Sequence, residues 1–189
     1  MRGDVESESQ PQSLHLEGGK RRIDRVLSPG FVRDLGELPI DELKSRRDDA
    51  LAEREYLSLL RRLVHGRLDI IRLESKRRSG GGEGSLVDQL TEALVEHERG
   101  GSRGEAVRVP VPDADMAAAR RRVERLVSDA TISDPTSLSD DDLARSERRL
   151  TEEERMVSRA RQAVIDVHDR LQDELKRRYK EDPSLITTP

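Results

Sequence analysis

The sequence predicts an all-α protein: two long helices paired as a coiled coil, shorter helices in the segment connecting them, and disordered termini. Three observations carry this expectation. Of 189 residues, 33% are apolar, 39% are charged and 2% are aromatic, with one Phe, two Tyr and no Trp. That is too little bulk for a compact globular core and suits an elongated architecture rich in Leu, Glu and Arg. Apolar residues recur at spacings of three and four in two segments, Leu57, Leu60, Val64, Leu68 and Ile71, then Val157, Ala160, Val164, Val167 and Leu171; each is a coiled-coil seam. Finally, the two segments repeat each other without gaps at an offset of 100 residues: Leu38 to Lys76 lies over Leu138 to Lys176.

Each element follows from local signals. Residues 1–36 are rich in Ser, Glu, Gln and Gly without a sustained period, and are expected to form a disordered N-terminal tail. The first long helix is expected over 37–78, starting near Pro39, whose missing N–H is harmless in a first turn, and ending at Ser79-Gly80-Gly81-Gly82-Glu83-Gly84. Gly66 lies inside it, at a cost of about 1 kcal/mol relative to Ala; a close approach by a neighbour or simple tolerance both explain a Gly there. The connection, 79–137, holds two shorter amphipathic candidates, Leu86 to Glu98 and Met116 to Asp129, separated by Gly100-Gly101, Pro110 and Pro112. The second long helix is expected over 138–182, capped by Ser139 with Asp142 three residues on and stopped by Pro183. Residues 183–189 are expected to fray.

Composition also narrows the function. Without Cys there are no disulfides or thiolate metal sites, and no apolar run approaches the length of a membrane span. The first residues hold no signal-peptide core, so a cytoplasmic location is expected. A formal charge of −4 with both signs interspersed argues against direct nucleic-acid binding, which needs a concentrated basic surface. Arg120-Arg121-Arg122 and Arg177-Arg178 read as solvated helix faces. The glycine cluster after Arg78 lacks the Lys of a P-loop, no nucleophile elbow surrounds a Ser, and His15, His65, His97 and His168 show no paired metal-ligand spacing. Neither an enzyme nor a metal protein is expected.

What the repeat retains is polar. Ser58/Ser158, Arg61/Arg161 and Asp69/Asp169 are matched, whereas duplicated helices would ordinarily keep their seams and let their surfaces drift. In the second helix Glu154, Ser158, Arg161 and Asp169 fall within an arc of roughly 80° and extend roughly 22 Å along the axis. Arg54, Ser58, Arg61, His65 and Asp69 take the same places in the first. Each row lies roughly 100° from its seam, so packing the seams together places both rows along one groove, partly desolvated. Arg binds the O6/N7 edge of guanine or a phosphate in bidentate fashion, and its plane stacks on bases. An Asp carboxylate accepts from guanine N–H groups, and a Ser hydroxyl suits a phosphate or ribose oxygen. The set describes a guanine nucleotide presented twice; a purely solvated charged face explains it about as well.

The pattern Glu-x3-Ser-x2-Arg-x3-Gln-x3-Asp, once on each long helix, resembles that of the RsiG family, cyclic-di-GMP-dependent anti-sigma factors of spore-forming actinobacteria. In the second helix Glu154, Ser158, Arg161 and Asp169 match, with Ile165 in place of Gln. In the first, Ser58, Arg61 and Asp69 match, with Arg54 in place of Glu and His65 in place of Gln. The resemblance implies an antiparallel coiled coil that holds cyclic di-GMP, as two molecules, between its motif helices. It also implies a partner, a flagellar-type (WhiG) sigma factor, sequestered while the second messenger is bound and released for sporulation transcription when it falls. The competing expectation is a structural or adaptor coiled coil with no small ligand.

Overall fold

The computed structural model describes residues 21–80, 111–126 and 135–186. These are helical, with no strand among the described residues: α1 (Arg22–Val26), α2 (Ile40–Arg78), α3 (Asp113–Leu126) and α4 (Asp140–Glu181), plus 3-10 turns at Leu35–Glu37, Pro135–Ser137 and Pro183–Ile186. The all-α class is as the composition predicts. The candidate helix Leu86 to Glu98 lies outside the described residues.

The long helices begin and end where the local chemistry directs. At α2 the Pro39 carbonyl accepts the first helical bond from Leu43 N–H at 3.0 Å, and Ser139 caps α4 by accepting from Asp142 N–H at 3.2 Å. Asp41 and Glu42 occupy the first turn of α2, and Asp140, Asp141 and Asp142 that of α4; Lys76, Arg77 and Arg78 close the former, Arg178 and Lys180 the latter. These charges oppose the helix dipoles at all four ends. Gly80, at φ 78°, lets the chain turn out of α2.

The dominant packing is α2 against α4. Both seams are buried except for Val167, which is half-buried. Leu57, Leu60, Val64, Val157, Ala160, Val164 and Leu171 are wholly inaccessible; each fully buried aliphatic side chain of Val or Leu size contributes about 1.5–3 kcal/mol. Hydrogen bonds between the helices pair their residues in opposite order. Arg78 reaches Asp140 Oδ1 at 2.7 Å, Arg72 reaches Glu147 Oε1 at 2.9 Å, and Arg61 reaches Ser158 Oγ at 3.0 Å.

Residues 21–36 depart from the expected disordered tail. Ile23, Val26 and Phe31 are buried in the same core as the seams, so α1 and the loop after it are part of the fold. Burial of those three apolar side chains offsets the ordering cost of a helix too short to form alone. The expected frayed end also differs: Pro183–Ile186 forms a 3-10 turn against α4. In the connection, α3 spans Asp113–Leu126 and lies mainly on α2, with Ala119 and Val123 buried. A Cβ built on Gly66 meets nothing within 4 Å, so no close neighbour requires a Gly there.

Candidate functional site

The matched serines and arginines meet across the helix interface. Arg61 on α2 donates from Nε to Ser158 Oγ on α4 at 3.0 Å, and Arg161 on α4 donates from Nε to Ser58 Oγ on α2 at 2.9 Å. The two bonds are the same contact made twice, related by exchanging the helices. Each serine is a half-buried acceptor beside the seam residues at 57, 60, 157 and 160, held there because the seams dictate which face of each helix points inward. Ser58 Oγ donates to the Arg54 carbonyl at 2.8 Å, a bond a helical serine makes readily.

Beyond this central pair the two copies diverge. Glu154 Oε1 accepts from Ser158 Oγ at 2.7 Å and lies 3.4 Å from Arg61 Nε and 3.2 Å from His65 Nε2. The Ser158 hydroxyl, then Arg61 and His65, hold the Glu154 carboxyl below its usual range, against the opposing effect of burial. In the other copy the equivalent places are taken by Arg54 and Ile165. Arg54 turns aside to Glu55 Oε1, at 3.1 Å from Nε and 2.9 Å from Nη2.

The structure thus gathers Arg61, His65, Glu154 and Ser158 into one cluster, and Ser58, Arg161 and the Arg54 backbone into another. Asp69 is half-buried and Asp169 exposed. Asp169 Oδ1 lies 3.3 Å from His168 Nδ1, and among the described residues neither aspartate bonds to the central Ser and Arg groups.

Further residues position this site. Two carboxylates on the seam, Glu53 and Glu153, are buried. Arg22 of α1 donates to Glu53 Oε2 at 2.8 Å, and Arg122 of α3 donates to Glu153 Oε1 at 2.6 Å. Arg22 also reaches Asp115 Oδ2 of α3 at 2.8 Å, tying α1, α2 and α3 together. Burial pushes the Glu53 carboxyl up, with Arg22 opposing. At the helix ends, Arg78 Nη1 donates to the Leu138 carbonyl at 2.7 Å and Arg178 Nη1 to the Leu38 carbonyl at 2.6 Å. Each guanidinium also bonds a glutamate one turn back, Glu74 at 2.7 Å and Glu174 at 2.9 Å.

Apart from the Arg22–Asp115 bond, these contacts obey the 100-residue offset: Arg22 and Arg122, Glu53 and Glu153, Glu74 and Glu174, Arg78 and Arg178. Sequence reasoning took Arg122 and Arg178 for solvated faces and left Arg22 in a tail. Carrying the offset beyond Leu38 and Lys76 would have found them, since Arg21-Arg22-Ile23-Asp24-Arg25 lies over Arg121-Arg122-Val123-Glu124-Arg125.

Residues 29–94 match the sequence model of the RsiG family, described as RsiG-like. The match takes in the whole of α2, including Ser58, Arg61 and Asp69, and is to the family that the duplicated motif resembles. It supports an anti-sigma factor role. No curated protein matches the chain.

Proposed function

Taking an RsiG-like first helix as premise, we propose that this protein is an anti-sigma factor regulated by cyclic di-GMP. In this reading α2 and α4 form an antiparallel coiled coil whose polar rows receive the dinucleotide, two molecules filling the groove. The loaded form sequesters a flagellar-type, WhiG-like sigma factor, and a fall in the second messenger releases it to direct sporulation transcription.

The observation that carries this reading is the reciprocal pair of Arg–Ser hydrogen bonds across the helix interface, Arg61 to Ser158 and Arg161 to Ser58. Cyclic di-GMP has two equal halves. A groove in which the same donor and acceptor occur twice, related by helix exchange, can meet both halves with like groups. The residues fit the ligand chemically. Two guanidinium groups, Arg161 half-buried and Arg61 exposed, suit phosphates or guanine edges, each good bidentate contact being worth about 1–3 kcal/mol. Asp69 and Asp169 offer carboxylates to guanine N–H groups. Arg54, His65 and Ile165 stand where the family pattern has Glu or Gln, so the contacts those family residues make are not carried over.

The coupling to a partner follows from mass action. A ligand that binds the paired helices also favours whatever surface that pair presents, by RT ln(1 + [L]/Kd). The test is calorimetric titration with cyclic di-GMP, beside GTP, cyclic di-AMP and an Asp69→Ala/Asp169→Ala double variant. Sigma-factor pull-down with and without ligand follows. Selective binding lost in the variant, with ligand-dependent capture of the sigma factor, is the expected result. No heat and no thermal shift, even with the sigma factor present, would leave a plain coiled-coil adaptor as the better account.

A further inference from the structure

The central Arg–Ser contacts are equivalent, but the charges around them are not. Arg61 faces Glu154 at 3.4 Å, and that carboxylate also takes Ser158 Oγ at 2.7 Å and sits 3.2 Å from His65 Nε2. The first guanidinium therefore already has a carboxylate beside it, whereas both serines donate their own protons, Ser158 to Glu154 and Ser58 to the Arg54 carbonyl. Arg161, half-buried, meets only Ser58 Oγ at 2.9 Å; among the described residues no carboxylate pairs with it. The position that would supply one by the repeat is Arg54, itself drawn off to Glu55 at 2.9 Å, and the position matching His65 is Ile165. A partly desolvated cation without a counter-charge favours an anion strongly, whereas one already paired must first exchange partners.

We propose that the groove has two chemically unequal halves. The half built from Arg161 and Ser58 takes a phosphate of the dinucleotide first; the half built from Arg61, Ser158, His65 and Glu154 fills second, when Glu154 yields Arg61 to the ligand. Glu154, which has no acidic counterpart at the equivalent position 54, sets the order. The inference rests on the cyclic di-GMP reading above and concerns how this chain uses the site.

Calorimetric titration with cyclic di-GMP separates the two halves. Wild type should show two steps of unequal affinity. Arg161→Ala should weaken the first step about tenfold more than Arg61→Ala does, the scale of one charged hydrogen bond. Glu154→Gln, which keeps shape and removes charge, should strengthen the second step. Ser58→Ala and Ser158→Ala, whose charges are unchanged, repeat the comparison if an arginine variant fails to fold. A single step of equal sites, or equal losses in the two arginine variants and in the two serine variants, would overturn the inequality while leaving the cyclic di-GMP reading intact. Absence of binding in wild type would overturn both.

Discussion

At the scale of single residues, the least ordinary feature is a pair of carboxylates buried at equivalent places among the aliphatic side chains of the two seams. Glu53 and Glu153 are 4% and 3% exposed, and each is matched by one arginine from a short helix. Removing one partner strands the other, which costs far more than the pair contributes. Glu153→Ala should therefore lower unfolding stability by about 3–5 kcal/mol, and Glu153→Gln, which keeps an acceptor for Arg122, by less; urea melts of the two variants check this. Two other glutamates predict the response to acid. Glu74 is held down to about 2 chiefly by Arg77, and Glu174 to about 2 chiefly by Arg177. With folded values below the ordinary 4.5, the stability they contribute is fully present above that value and is lost as pH falls toward about 2. Glu53, shifted upward by burial, works in the opposite sense. Thermal melts from about pH 5 to pH 2.5 should show a falling midpoint whose slope is reduced in Glu74→Gln/Glu174→Gln. None of these glutamates stands out in the sequence except through the repeat, because a charged residue on a seam looks like an interruption until its arginine is located.

At the scale of elements, what was legible is what local chemistry decides. The long helices run Ile40–Arg78 and Asp140–Glu181, within a few residues of the expected 37–78 and 138–182, because Pro39, Ser139, the glycines after Arg78 and Pro183 are strong punctuation. Ser139→Ala should cost about 1 kcal/mol as the Asp142 N–H loses its acceptor. Gly66→Ala should stabilise the protein by about 1 kcal/mol, since the added methyl meets open space inside a helix. Denaturant midpoints with unchanged slopes check both. The helix that escaped notice, α1, has five residues. No periodicity is detectable over so short a span, and its stability comes from Ile23, Val26 and Arg22 docking on α2, a tertiary effect that local pattern does not contain. The polar rows were legible as faces but not as a set of bonds. The helical angle put Ser58, Arg61, Ser158 and Arg161 on the right side, whereas the crossing from one helix to the other depends on axial register, which sequence leaves open. The same gap hid the fates of Arg54, drawn off to Glu55, and of Glu154, which accepts from Ser158 and Arg61 and lies beside His65.

At the scale of the whole molecule, the repeat is more than a pair of similar helices. Each unit carries a short arginine-bearing helix or helix end (α1, and the end of α3), a 3-10 turn, a long helix with a buried glutamate, and a closing arginine. The arginine closing each long helix is bonded to carbonyls at the entrance of the other: Arg78 to Leu138, Thr136 and Pro135, and Arg178 to Leu38 and Leu35. At these closing arginines each unit completes the other rather than itself. Co-expressed as separate polypeptides, 1–80 and 111–189 should find each other and co-purify as a one-to-one complex with the helical content of the intact protein. Loss of the Arg78 and Arg178 side chains together should make that reassembly fail at dilutions the unaltered fragments survive.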